Sequence, residues 1–323
     1  MNNFLKHIYI LLMKSSILVG GQAVIEGVMM RVPGAYATAV RLQDKTIVYK
    51  RYNFISVIEK HQLQNIYFLR GMIHLYESMK IGYSTLDWSA QLQEDANTQN
   101  NKLVEWIMTI FSIMFALSIF VFLPLYATSY FFSKTINMPF YFNIIAGIIR
   151  IIIFLTYLVC ISQLNDVKRL FAYHGAEHKT VYNFESGKKL NIQNAKSFST
   201  KHPRCGTSFV FIIMLVTIFS YAVIDTIALL FVTELTYVYR MCFHILFLPL
   251  VSGIGYEVLK LLATYQHNLI CRILSKPGLW LQHITTNEPN DNQLEVAINA
   301  LKQAFGNKIN DYTGKQFKAD AIG

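Results

Sequence analysis

The chain has 323 residues, of which 53% are hydrophobic, and it carries a formal net charge of +10. Such apolarity over this length indicates a membrane protein rather than one or two soluble domains. The lysines and arginines lie in segments beside the hydrophobic stretches, as orientation in a membrane demands, so we expect no nucleic-acid partner. The four cysteines show no short paired spacing, and reduced thiols without a disulfide framework are expected.

The N-terminal part predicts a small α+β unit over residues 16–102. The extension before it, over residues 1–15, contains an apolar run that is too short to span a hydrocarbon core of roughly 30 Å. The glycine-punctuated stretch GGQAVIEGVMMR permits close approach of backbone segments. Two strand-like runs follow, over residues 35–42 and 46–52, and they predict a hairpin.

The end of this unit predicts an amphipathic helix over residues 64–92. Apolar residues recur there three or four positions apart, which makes one apolar stripe. A helix with such a stripe packs on the soluble unit or lies on the membrane surface. Its polar residues Arg70, His74 and Glu77 are expected to face solvent.

Four hydrophobic stretches follow, each long enough to cross a bilayer as a helix. Short loops join them into two hairpins, over residues 103–164 and 208–265, and Pro124 is expected to kink the first helix. A central loop over residues 165–207 separates the hairpins, and a tail over residues 266–323 follows them. The predicted fold class is therefore an α-helical multi-pass membrane protein with about four transmembrane helices, a small N-terminal α+β unit and a cytoplasmic or stromal central loop.

The distribution of charge predicts the orientation of these spans. The central loop is rich in lysine and arginine, whereas the short loops offer little positive charge beyond Lys134 and Arg240. By the positive-inside rule, the central loop then faces the cytoplasm, or the stroma of a plastid. An even number of spans places both termini on that same side. The expected location is a bacterial cytoplasmic membrane or a plastid membrane.

Three ionisable residues lie within the predicted spans, where a charge costs at least about 2.5–3.5 kcal/mol. Arg150 and Asp225 both lie toward the outer half of the bundle, and we expect them to form a structural ion pair. Glu257 lies near the inner end of the last span, closer to the central loop. It is a candidate buried ligand or proton carrier, and a hydrogen-bonded structural glutamate is the alternative.

The central loop contains the stretch HGAEHKTV, which suggests a metal site. On a helix, His174 and His178 share one face, and Glu177 lies three residues from His174 on the same side. This H-x-x-E-H spelling is the reverse of the zincin motif. The later stretch HPRCGTS adds His202 and Cys205, and a set of imidazole and thiolate ligands favours zinc.

Two arrangements of these residues remain open. A closed tetrahedral site would use both helix histidines together with His202 and Cys205, and its role would be structural. An open site would use the two helix histidines with one further ligand, such as His202, Cys205 or Glu257, and would leave a position for water. Glu177 would then be the catalytic base that activates this water.

The tail predicts a Pro-Gly turn followed by an amphipathic helix. The acidic residues before that helix favour its N-terminus. Trp280 lies where an interfacial aromatic residue would anchor the chain. The apolar face of the helix consists of Leu294, Val296, Ala297, Ala300 and Leu301.

The chain resembles the YqhQ-type family of bacterial multi-pass membrane proteins in four stretches that occur in order. They are GGQAVIEGVMMR, YHGAEHKTVYNFESG, HPRCGTSF and PGLWLQHITTNEPNDNQLEVAI. The segment LPLVSGIGYEVLK, around Glu257, is similar to the last span of that family, and the resemblance covers residues 17–301. It implies the multi-pass architecture. The family is a domain of unknown function sometimes labelled a predicted metal-dependent enzyme, so the resemblance adds little about the reaction.

We therefore expect a zinc-dependent hydrolase that acts at the inner membrane surface. The alternative is a non-catalytic scaffold, assembly factor or lipid-handling protein in which the same residues form a structural metal site. A transporter is a weaker third option, because the spans carry few ionisable groups and no obvious broken repeat pair. Membrane lipids are expected partners, with Lys201 and Arg204 placed to contact their phosphates. The sequence identifies no protein partner and no substrate.

Overall fold

The computed structural model describes residues 19–61, 63, 66–94, 102–135, 137–202, 205–265 and 268–314. The predicted extension over residues 1–15 lies outside the described residues, as do Arg204 and the end of the tail. Within them, the chain is mostly helical and contains one four-stranded sheet.

The N-terminal part forms an antiparallel sheet whose strands pair in chain order. The hairpin expected over residues 35–52 is confirmed, with Val40 opposite Val48. Asp44 Oδ1 closes its turn by accepting a hydrogen bond from Thr46 N at 2.9 Å. The strands are β1 (Gly20–Val24), β2 (Gly27–Val32), β3 (Ala35–Arg41) and β4 (Ile47–Asn53).

The helices follow the sheet in chain order. The first group is α1 (Val57–Lys60), α2 (Tyr67–Gln91), α3 (Lys102–Leu117), a π-helical turn (Ser118–Phe122), α4 (Leu123–Phe131) and α5 (Pro139–Ile161). The second group is α6 (Asn165–Glu185), α7 (Ile192–Lys196), α8 (Gly206–Ala228), α9 (Tyr237–Thr264), α10 (Leu269–Thr285), α11 (Asp291–Phe305) and α12 (Ile309–Tyr312). Short 3-10 turns lie at Ser133–Thr135 and Gly306–Lys308.

Four helical stretches are long and apolar enough to cross a membrane, as the sequence predicted. They are Trp106–Phe131, Pro139–Ile161, Val210–Ala228 and Tyr237–Leu262. In the most apolar part of the first stretch no residue is buried by the rest of the chain, and in the third only 33% are. Apolar helices of this length with exposed sides fit a lipid environment.

The irregularity expected at Pro124 takes the form of the π-helical turn. Proline has no N–H, so Pro124 cannot donate to Phe120 O four residues earlier. Arg150 Nε donates to that carbonyl instead, at 3.0 Å. A side chain from the neighbouring span thus satisfies a backbone group that would otherwise be left open at membrane depth.

Helices cover both faces of the sheet. Because strand residues alternate between faces, Val28 and Met30 pack with α6 and α11, whereas Met29 packs with Ile81 of α2. The predicted tail helix is α11, and it buries Leu294, Val296, Ala297, Ala300 and Leu301 in the first of these cores. The N-terminal unit, the central segment and the tail therefore share one hydrophobic core, although they are far apart in sequence.

The central segment between the hairpins, for which a helix around His174 and His178 was predicted, is largely helical. Its main helix, α6, is held to the sheet by Glu26, which lies in the β1–β2 turn at a φ of 53°. Glu26 forms an ion pair with Arg169 and accepts a hydrogen bond from Tyr173 Oη at 3.3 Å. Burial, assisted by the nearby Glu26 charge, raises the pKa of Tyr173, so the phenol remains a donor at neutral pH.

The predicted ion pair between Arg150 and Asp225 is wrong. Asp225 lies 3.5 Å from Arg240 Nε and 3.1 Å from His244 Nε2, and it accepts a hydrogen bond from Asn143 Nδ2 at 2.8 Å. Arg240, expected as a loop charge, is fully buried. The prediction used the rise per residue, which estimates how deep each residue lies in the bundle. It does not give the rotation of each helix about its axis, and that rotation decides which side chains face each other.

The expected orientation of α2 is also wrong. Its polar residues face inward, since Arg70 is 8% exposed and Glu77 is 6% exposed. They are buried because they have partners: Glu77, for example, accepts hydrogen bonds from Ser56 Oγ at 2.8 Å and Val57 N at 2.7 Å. The apolar side chains that remain exposed on this helix include Tyr76, Met79 and Tyr83.

The Pro-Gly turn expected at the start of the tail is not formed. Pro277 and Gly278 lie inside α10, which packs against α8. A proline inside a helix removes one backbone hydrogen bond, and tertiary packing offsets that loss here. Trp280 lies on the same helix and is 58% exposed, and its role as an interfacial anchor stays a prediction.

Candidate metal centre

The two histidines of the H-x-x-E-H motif lie one turn apart on α6, as the spacing predicted. Their ring centroids are 4.5 Å apart. The apolar side of α6, which includes Tyr173, Val181 and Phe184, packs in the core shared with the sheet. Burial of that apolar side fixes the rotation of the helix and presents His174 and His178 to the segments that follow it.

Backbone carbonyls fix the orientation of both imidazole rings. Nδ1 of His174 lies 2.8 Å from Thr285 O, and Nδ1 of His178 lies 2.5 Å from Thr200 O. A carbonyl oxygen only accepts hydrogen bonds, so each ring donates from Nδ1. In the neutral imidazole, each Nε2 then carries a free lone pair. Metal-binding histidines are commonly held by such a hydrogen bond from the other ring nitrogen.

Cys205 brings a sulfur atom to the same place. Its Sγ lies 3.1 Å from Nε2 of His174. The residue is the N-cap of α8, where it accepts a hydrogen bond from Thr207 N at 3.5 Å. The N-terminus of a helix carries a partial positive charge, which favours an anionic ligand atom at this position.

The ligand atoms of His174, His178 and Cys205 all lie within 4.8 Å of one another. Zinc bonds of about 2.0–2.3 Å in a tetrahedral arrangement separate neighbouring ligand atoms by roughly 3.5 Å. Small side-chain rotations would therefore bring these three atoms to bonding distance from one ion. Two imidazoles and a thiolate form a donor set that suits zinc.

Glu177 lies beside this group and is 5% exposed. Its Oε2 is 3.4 Å from Nε2 of His178, the ring atom that faces the other two ligands. Gly21 of β1 makes room for it, because a Cβ at that position would lie 2.8 Å from Glu177 Cγ. A buried carboxylate next to this lone pair is in a position to accept a proton from a ligand bound there.

His202 is close to the group of three but is not part of it. Its ring centroid lies 5.6 Å from that of His178 and 4.5 Å from that of Tyr182. Gln282 of α10 holds its backbone on both sides, accepting from His202 N at 2.7 Å and donating to His202 O at 2.8 Å. The structure therefore places the His202 ring next to His178 but outside the group of three.

Glu257, the other candidate ligand, is engaged elsewhere. Both its carboxylate oxygens accept from Arg70 of α2, at 2.7 Å from Nε and 2.6 Å from Nη2. A bidentate pair of this kind satisfies the carboxylate and joins α2 to α9. Of the two sequence alternatives for Glu257, the geometry matches the structural, hydrogen-bonded one.

The groups that orient the site were not visible in the sequence. Thr200 and Thr285 act through backbone carbonyls, which every residue has, so their side chains carry no signal. Gln282 clamps the backbone of His202 from a helix that the sequence did not predict. Arg70 was expected to face solvent. Its ion pair with Glu257 depends on how two helices that are distant in the sequence pack together.

Comparisons with known proteins give a family and no activity. The family model described as "Protein of unknown function (DUF1385)" matches residues 66–307. The "Uncharacterized protein YqhQ" of Bacillus subtilis (strain 168) is 30% identical over 307 residues, which covers 88% of this chain and 91% of that protein. No solved structure matches the chain. These matches confirm the resemblance that the motifs indicated.

Proposed function

The chain belongs to this family of unknown function, DUF1385, and we propose that it is a membrane protein with a zinc site, acting as a metal-dependent hydrolase at the inner membrane surface. His174, His178 and Cys205 would be the zinc ligands. The observation that carries the proposal is the arrangement of the two rings: both donate from Nδ1 to a carbonyl, which leaves Nε2 to bind a metal, and their ligand atoms lie within 4.8 Å of each other and of Cys205 Sγ.

An open site with three protein ligands is the arrangement that supports hydrolysis. A bound zinc ion would supply Lewis acidity toward water or a substrate oxygen. Glu177 would accept the proton of the attacking water through its Oε2 and pass it to the leaving group. Its burial keeps bulk water from competing for that proton, and the hydrogen bonds of both histidines keep the ligand atoms in place.

A non-catalytic membrane scaffold, assembly or lipid-handling protein is the second candidate. The position of His202, with its ring centroid 5.6 Å from that of His178, favours it. If His202 became a fourth ligand, the site would be closed and structural. Such a site would tie α6, the N-terminus of α8 and the segment around residue 202 together. Glu177 would then be a buried carboxylate that accepts hydrogen bonds and has no chemical role.

We also propose that the metal centre faces the cytoplasm, or the stroma if the membrane is that of a plastid. The basic residues of the central segment support this orientation through the positive-inside rule. The shared core of the sheet, α6 and α11 is consistent with it, because all three must then lie on one side of the membrane.

Metal analysis of the purified full-length protein tests the zinc site. We expect one zinc ion per chain in the wild type and loss of that zinc in His178→Ala and Cys205→Ala. Cys160→Ala is the matched control, because Cys160 is an exposed free cysteine on α5 outside the group of three. Wild-type protein without stoichiometric metal would rule out both candidate functions as stated. His202→Ala distinguishes them: zinc retained at wild-type affinity favours the open site.

Glu177→Gln tests the catalytic role at constant metal content. The wild type is screened against chromogenic esters, phosphate esters and quenched peptides in detergent. For any substrate that it hydrolyses, removal of a general base should lower the rate by about 10²–10⁴-fold while zinc and folding are retained. A Glu177→Gln protein that keeps both its zinc and its rate would exclude Glu177 as the base.

A further inference from the structure

A cleft lined by both polar and apolar side chains lies where α5 ends, α6 begins and α10 ends. Its volume is about 390 Å³. Its walls come from three elements: the end of α5 with Val159, Ser162 and Gln163, the first turn of α6 with Lys168, and the end of α10 with His283 and Asn287. None of these side chains belongs to the candidate metal centre.

Lys168, the lysine that lines this cleft, differs from two other basic residues of α6 in its ion pairing. Arg169 forms an ion pair with Glu26, and Lys179 Nζ lies 2.7 Å from Glu288. Lys168 is exposed and has no ion-pair partner among the residues that the structure describes. A positive charge at the mouth of a concave polar site, with no internal counter-ion, favours an external anion.

A second cation lies next to the cleft. Lys201 Nζ is 2.5 Å from Nε2 of His283. Nδ1 of that ring lies 3.0 Å from Trp280 O and donates to it, so Nε2 accepts from the ammonium group. Lys201 therefore holds its charge at the His283 wall of the cleft, without a carboxylate partner in the described part of the chain.

The remaining lining groups suit a phosphate that carries an acyl chain. Asn287 Nδ2 donates one of its two N–H groups to Lys168 O and can donate the other to a phosphate oxygen, whereas Ser162 and Gln163 donate to Val159 O. Val159 belongs to the apolar stretch Pro139–Ile161 and is 47% exposed, so the cleft opens beside a surface suited to hydrocarbon. On α10, Trp280 lies three residues before His283 and is 58% exposed, so it adds an apolar side chain beside the cleft.

We propose that this cleft binds the phosphate of an anionic lipid headgroup, with Lys168 and Lys201 as its cations and Asn287 as a hydrogen-bond donor. Polar and charged walls face the headgroup, and the apolar rim faces the acyl chains, as expected at the boundary of a bilayer. A soluble phosphate would use the same cations but would gain nothing from the rim.

The cleft and the metal centre share supports. Asn287 N donates to Phe171 O at 2.9 Å, and its side chain donates to Lys168 O at 3.1 Å. Asn287 O lies so close to α6 that a Cβ on Gly175 would be 2.1 Å from it. The segment that contacts the lipid therefore also carries Thr285, whose carbonyl orients His174. This proposal goes beyond the zinc site and does not require a metal.

Lipid titration of the purified full-length protein in a neutral detergent tests the proposal. The probes are a short-chain phosphatidylglycerol, a phosphatidylcholine of the same chain length and inorganic phosphate, with binding followed by the shift in thermal unfolding temperature. We expect phosphatidylglycerol to bind, and Lys168→Ala and Lys201→Ala each to weaken it roughly tenfold, the loss expected for one charged hydrogen bond. Binding should also weaken as salt is raised.

Controls make the outcome specific. Lys308→Ala, which removes an exposed lysine away from the cleft, should bind like the wild type, and Lys168→Arg should retain most of the affinity. Equal binding of phosphatidylglycerol by Lys168→Ala and the wild type would overturn the proposal, as would equal binding of phosphatidylcholine. Equally tight binding of inorganic phosphate would overturn the lipid assignment. Zinc content is measured on the same protein preparations. A variant that loses lipid binding can then be distinguished from one that loses zinc.

Discussion

The histidine of α2 provides a test of how the N-terminal unit is fixed to the spans. His74 stacks on Tyr256 of α9, with ring centroids 5.3 Å apart. Burial, followed by the positive charges of Arg31, Lys260 and Arg70, outweighs the Glu77 carboxylate 3.8 Å from Nδ1 and lowers the pKa of His74 from 6.5 to about 4. The folded protein therefore keeps this ring neutral at a pH where the unfolded chain would protonate it.

The size of the effect follows from that difference. The gap between 6.5 and about 4 corresponds to about 3 kcal/mol, at about 1.4 kcal/mol per pKa unit. As the pH falls, the unfolded chain binds the proton before the folded protein does. The part of the free energy of unfolding that depends on neutral His74 is therefore fully present above pH 6.5 and is lost as the pH falls toward 4. The side chain of His74 is 17% exposed, so solvent screening makes about 3 kcal/mol an upper limit. At pH 5, the loss amounts to about 2 kcal/mol.

The assay compares the free energy of unfolding of the wild type and His74→Gln in neutral detergent at about pH 7.5 and about pH 5. His74→Gln lowers stability at both values because it removes the stacking on Tyr256. The wild type should nevertheless lose about 2 kcal/mol more than the variant on acidification. His61→Gln, which changes an exposed histidine next to α1, should follow the wild type. The same pH dependence in wild type and His74→Gln would refute a buried neutral His74.

Two further predictions concern the spans and the sheet. Asp225→Asn leaves the buried charge of Arg240 beside a neutral amide, and we expect a loss of about 3–5 kcal/mol in the free energy of unfolding. A melting temperature equal to that of the wild type would contradict this account of the ion pair. Gly21→Ala places a Cβ 2.4 Å from Met29 O of β2 and 2.8 Å from Glu177 Cγ. It should therefore strain both the β1–β2 pairing and the contact with α6, cost about 1–3 kcal/mol and lower zinc content. Gly20→Ala, where a Cβ meets nothing within 4 Å, should leave the free energy of unfolding and the zinc content unchanged.

Features that depend on one contiguous segment could be predicted from the sequence. The four spans are set by hydrophobic length, which needs no knowledge of packing. The shared face of His174 and His178 follows from helical spacing, and the apolar side of α11 follows from the same period. Two strand-like runs separated by Gln43, Asp44 and Lys45 predicted the hairpin of β3 and β4 for a similarly local reason.

Features that depend on how distant segments meet were decided only by the tertiary structure. Arg70 and Glu257 are far apart in the chain, and neither residue type indicates its partner. The polar side of α2 was expected to face solvent. The spacing of apolar residues gives the period of a helix, but it does not show which side of the helix forms hydrogen bonds and ion pairs with other elements. Asp225 pairs with Arg240 because helix rotation, which the sequence does not report, turns them toward each other.

The candidate metal centre combines both kinds of information. The sequence determined which residue types were present and put two imidazoles on one turn of helix, because that spacing is a property of the backbone. Only the tertiary structure brought Cys205 to Nε2 of His174 and supplied the carbonyls of Thr200 and Thr285 that orient the rings. The reason is physical: ligand geometry requires positions within a few tenths of an ångström, and contacts between elements that are remote in sequence set those positions.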